Sequence, residues 1–176
     1  MDSVLRGQPP NGQSAPQLAT RLAPLPGTRP AAGALPEGDW IRGITIRQPW
    51  AACILAGKCP ENRPVHWLWR GWVLLHAGKA KPEPAVLRDP LVATAIRGRE
   101  LHRGAVIGVA RLTGCHLDRG PVQCTSPWAE RGAHHLVLAD VQELALPVPA
   151  TGALPAWKPA PDLLAQVFQQ LPAFQP

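Results

Sequence analysis

The sequence has no tyrosine, two phenylalanines and one methionine, against seven tryptophans. Tryptophan must therefore supply most of the aromatic bulk, in the core or at a site. There is no CxxC pair: Cys53, Cys59, Cys115 and Cys124 stand singly, so no dithiol redox motif or paired-cysteine zinc knuckle is written into the chain. No glycine-rich phosphate loop follows a candidate strand, which argues against a nucleotide-binding α/β sheet. Charges or prolines interrupt every hydrophobic stretch before it reaches the length of a membrane span. The N-terminus has no apolar run that would serve as a signal peptide. These absences point to a cytoplasmic protein with reduced thiols and no membrane partner. Acidic groups are the scarcer charge, 12 Asp+Glu against 18 Lys+Arg for a formal +6. That balance favours an anionic partner.

What is present divides the chain unevenly. Residues 1–38 are dense in Pro, Gly, Ala, Gln and Ser, have no aromatic residue and show no sustained periodicity. Such a segment buries too little apolar area to offset its ordering entropy, and it reads as a disordered tail. Beyond it the hydrophobic content is sufficient for a core, and one domain is expected over 39–160. A C-terminal helix over 161–171 packs on that domain through Leu163, Leu164, Val167, Phe168 and Leu171, within a terminal segment 161–176.

Within the domain, 43–48 reads as a strand, followed by a short buried helix that Pro49 begins and Gly57 ends. Residues 70–78 form a second strand. Its alternation sets Arg70, Trp72, Leu74 and His76 on one face and Val73, Leu75 and Ala77 on the other. Helical spacing marks 89–103, interrupted by Gly98. Strands follow at 104–114 and 134–144. Few short strands with helices between some of them fit an α+β fold, a small mixed β-barrel with packed helices.

The segment "AGKCPENRP" at 56–64 concentrates charge. Pro60 and Pro64 bias the residues before them towards extended backbone. Glu61 and Arg63 then point one way and Asn62 the other, with Lys58 just beyond the helix end. One reading is structural: Lys58 complements the helix dipole, worth about 0.3–1 kcal/mol, and Glu61 pairs with Arg63. The other is functional: a stiffened connector presents cations to an external anion.

The stretches "ITIRQPWAACILAGKCPENRP" and "WRGWVLLHAGK" resemble the ASCH domain of the PUA-like superfamily. The matching features are Ile46 to Ala51, then Gly57, Lys58, Glu61, Asn62 and Arg63, then Arg70, Gly71, Leu74, Leu75, His76 and Ala77. "GAVIGVARL" and "LVLADVQELALPVPATG" look like the family's closing strands, so the resemblance spans roughly 40–158. It implies a PUA-like barrel with a cleft beside the Lys58–Arg63 motif and binding of RNA or another nucleic acid there. Ribonuclease action or deacylation of a modified cytidine is implied for some members. The family's small amidohydrolases carry threonine three residues after the motif lysine, where this chain has Glu61, which speaks against that activity here.

The nucleic-acid-binding residues expected on this basis are Arg47, Gln48, Lys58, Arg63, Trp69, Arg70, His76 and Lys79. Lys58, Arg63 and Arg70 would meet phosphate. Trp67 and Trp69, in a loop, would stack on bases, whereas Trp50 belongs to the core. In the alternative hydrolase, Lys58 and Glu61 would be catalytic. His76 is more ordinarily a satisfied strand histidine than an acid or base, and Lys79 and Lys81 serve equally as a solvated loop or a phosphate rim. Arg88, Arg97, Arg99 and Arg103 form a second basic cluster, read as a solvated helix face. Cys115, His116, Cys124, His134 and His135 lack knuckle spacing, so no metal or other cofactor is expected, and the cysteines are read as space-filling.

Overall fold

The structure, a computed structural model, describes residues 41–119 and 124–172. The expected tail at 1–38 lies outside the described residues. The elements in chain order are β1 (Arg42–Ile46), α1 (Trp50–Leu55), β2 (Glu61–Arg63), β3 (Gly71–Ala77), α2 (Pro84–Leu87), α3 (Pro90–Ala95), β4 (Ala105–Leu117), β5 (His134–Pro149), β6 (Ala156–Trp157) and α4 (Pro161–Gln170). The strands form one curled, mixed six-stranded sheet, a half-barrel in the order β2-β5-β4-β3-β1-β6. Only β1 and β3 pair in parallel among the strand pairs described.

The central strand β3 is buried from Val73 through Ala77, and the reason is that both sheet faces are covered. Val73, Leu75 and Ala77 enter one core with Ile44, Ile46, Ala51, Ile54 and Trp67. Leu74 enters the other with Val106, Val109, Leu144 and Val148, where Leu163 and Val167 of α4 close the layer. The expected alternation in β3 and the apolar stripe of α4 are both realised. Helix α1 packs where β4 has Gly108: a Cβ there would come 2.6 Å from the Gln142 carbonyl oxygen and 2.8 Å from a Leu55 methyl. Glycine lets helix and sheet close up at that point.

Several elements differ from the sequence reading: β4 runs past the expected 114 to Leu117, and α2 and β6 are not among the expected elements. The helix expected over 89–103 stops at Ala95. Asp89 caps its start by accepting from the Leu91 and Val92 amides, but Gly98 takes φ +72 and the chain leaves the helical path. Strand β5 runs past the expected 144 to Pro149. Register shifts against β4 let it continue: between Val106 and Gly108 the partner runs from Val148 back to Glu143. Pro147 falls among the β5 residues left without a ladder partner there, which accommodates its missing N–H.

Candidate functional site

Helix α1 ends in a way that aims the motif. Gly57 takes φ +95; its amide donates to the Ile54 carbonyl, and the Lys58 amide donates to the Cys53 carbonyl at 2.8 Å. This is a Schellman ending, for which glycine is the residue of least strain. The Lys58 side chain then turns inward. Its Nζ donates to the Pro60 carbonyl at 2.7 Å and to Glu61 Oε2 at 2.8 Å. The two side chains are 2% and 9% exposed. Glu61 Oε1 lies 3.4 Å from Arg63 Nη2, which also donates to the Thr45 carbonyl at 3.0 Å.

Strand β2 pairs antiparallel with β5, setting Glu61 opposite Leu136 and Arg63 opposite His134. Glu61 and Arg63 share a face. Asn62 points the other way, donating to the Trp128 carbonyl at 2.8 Å and accepting from the Glu130 amide at 3.3 Å. This is the split that extended backbone dictates.

Beside the network lies a cavity of about 450 Å³ whose walls include Arg47, Trp50, Glu61, Asn62, Arg63 and Lys79. Lys58 is not in its wall, so the expected projection of that ammonium into a hollow gives way to a buried ion pair. Arg47 and Lys79 are exposed, and their side chains make no hydrogen bond or ion pair among the described residues. Trp50, expected in the core, is half-buried. It packs on the first core and meets Trp128 edge to face at 6.4 Å.

The other expected site residues lie elsewhere. Gln48 is buried: it donates to the His102 carbonyl at 2.7 Å and accepts from the Ala52 amide at 3.1 Å. Arg70 donates to the carbonyls of Trp67 and Trp69 and so braces its own loop. Trp67 is buried in the core rather than offered for stacking. Trp69 is half-buried, with the Arg42 guanidinium 4.3 Å from its ring centroid. It lines a separate cavity with Val65, His66 and Leu68.

His76 is 2% exposed and held between the Thr45 hydroxyl and the Ala150 carbonyl. Burial pushes its pKa below the ordinary 6.5; the bond to Ala150 opposes that shift and Lys79 adds to it. Burial likewise pushes the Cys53 thiol up to about 11, against the pull of Lys58 and Arg99. In the second basic cluster, Arg99 is spent on both oxygens of Glu143.

The histidines and cysteines set aside for want of knuckle spacing are brought together by the fold, with His66 added. Three-residue sets of nitrogen and sulfur donors come together twice, His66, Cys115 and His134 in one and His116, Cys124 and His135 in the other. The signal was a strand pair: His116 faces His135 directly across β4 and β5, and no register can be read from the sequence. The chain matches no protein-family model and no curated protein.

Proposed function

We propose that the chain is a nucleic-acid-binding module, of ASCH and PUA-like type, that takes a single-stranded stretch of RNA across the cavity at the end of β1. The observation that carries this reading is the composition of the cavity wall. The half-buried indole of Trp50 stands beside two uncommitted cations, Arg47 and Lys79. An unpaired base stacked on Trp50 contributes about 1–3 kcal/mol, and the cations neutralise flanking phosphates. Glu61 does not cancel them, because Lys58 and Arg63 already offset its charge. Lys58 positions Glu61 and Arg63 rather than touching the ligand. The order of the "RQPWA", "GKCPENR" and "RGWVLLHA" motifs supports the same reading by resemblance.

The hydrolase reading has less behind it, since Lys58 is outside the cavity wall and its ammonium is engaged by Glu61 and the Pro60 carbonyl. The test is binding of single-stranded RNA by fluorescence anisotropy. Arg47→Ala with Lys79→Ala should weaken affinity and flatten the salt dependence by roughly 1.4 in log–log slope. Unchanged affinity in that double variant would refute the proposal.

A further inference from the structure

Strands β4 and β5 place His116 directly opposite His135, and facing residues project from the same side of a sheet. The two rings stand 5.1 Å apart, nearly perpendicular. Cys124 arrives from the connection between the strands, its amide donating to Asp118 Oδ1 at 3.2 Å. One donor atom from each of His116, Cys124 and His135 lies within 4.8 Å of the others. Donors around a tetrahedral zinc ion sit about 3.3–3.8 Å apart, so a small contraction would close the set.

A second observation concerns the hydrogen bonding of His135. This residue is fully buried, and its Nε2 lies 2.9 Å from the Glu130 carbonyl oxygen. A carbonyl only accepts, so Nε2 carries the proton. Nδ1 then carries a lone pair, and it is buried with no hydrogen-bond partner among the described residues. An orphaned lone pair in the interior is costly. An imidazole that donates from one nitrogen to a backbone carbonyl and offers the other is arranged as metal-bound histidines are.

We propose that His116, Cys124 and His135 bind a divalent transition metal ion of the zinc class. Two imidazoles and one thiolate suit zinc, whereas magnesium and calcium prefer oxygen donors. The ion clips the β4–β5 connection to the sheet. That connection holds β2 through Trp128 and Glu130, both bonded to Asn62. The proposal is independent of RNA binding. The neighbouring set of His66, Cys115 and His134, in which His134 Nδ1 is likewise buried with no hydrogen-bond partner among the described residues, is left outside the proposal because its Cys115 Sγ already accepts from the Trp67 amide.

The test strips the purified full chain with chelator and titrates it with cobalt(II), then displaces the cobalt with zinc(II). The wild type should develop a thiolate-to-cobalt charge-transfer band and the intense d–d bands of four-coordination. Cys124→Ser should lose the charge-transfer band, and Cys115→Ser should retain it. His116→Ala, a change at an exposed position, should lower cobalt affinity at least about ten-fold while far-ultraviolet circular dichroism stays unchanged. Absence of the band from wild type, its survival in Cys124→Ser or its loss in Cys115→Ser would overturn the proposal.

Discussion

With both oxygens of Glu61 engaged, Lys58 and Glu61 hold each other in the interior at a separation of 2.8 Å. Removing one partner leaves a buried charge short of compensation. Lys58→Met should therefore destabilise the protein by roughly 3 kcal/mol, at the low end because Arg63 remains 3.4 Å away. Adding Glu61→Gln should restore part of the loss, a coupling that urea denaturation of both single variants and the double would measure. The types and faces of these residues were legible in the sequence. The inward turn of Lys58 was not, because spacing along the chain does not say on which side of a helix ending a side chain departs.

His76 ties the stability of the fold to pH. Burial holds its pKa below the ordinary 6.5 in the folded chain, whereas the unfolded chain titrates near that ordinary value. The unfolded state binds more protons between the two values, so stability is complete above 6.5 and falls as pH drops through the folded pKa. His76→Asn should be less stable near neutrality yet show a shallower loss on acidification. Urea midpoints across that range would check both. Cys53, with its thiol pushed up to about 11 and its side chain buried, should resist alkylation in the native protein and react only on unfolding.

Among the elements, those whose signal is local were readable. Helix α1 had proline, an apolar run and glycine; β3 and β4 had apolar runs bounded by glycine. Of what was missed, α2 is a single turn of four residues, too short for a periodic signal, whereas β6 and the end of β5 depend on distant partners. Strand β6 is two residues long and exists through its pairing with Gly43 and Ile44. The extension of β5 depends on irregular pairing with β4. The ending of α1 tests the local part of this account. A Cβ at Gly57 would meet nothing within 4 Å, so Gly57→Ala isolates the strain of φ +95, about 1–2 kcal/mol. Gly57→Asn should cost less, because asparagine enters the left-handed region more readily. Thermal unfolding of the two variants would rank them. Equal stability of both with wild type would mean that the ending does not hold the motif in place.

For the whole molecule, the formal +6 overstates the charge available to a partner at the proposed interface. Of the cations in the cavity wall, Arg63 is shared with Glu61 and the Thr45 carbonyl, which leaves Arg47 and Lys79 unengaged. Lys58 and Arg99 are paired with Glu61 and Glu143, and these pairs already cancel within the net figure. Binding driven by two or three phosphate contacts should therefore have a log–log salt slope of roughly −1.4 to −2 for single strands, far shallower than the total charge suggests. Helix α4 packs on the opposite core and contributes nothing to the cavity wall, so charge reversal at Asp162 should leave that slope unmoved. A slope several units steeper, or one that Asp162→Lys changes as much as Arg47→Ala does, would place the nucleic acid on a broad basic surface instead of in the cavity beside Trp50.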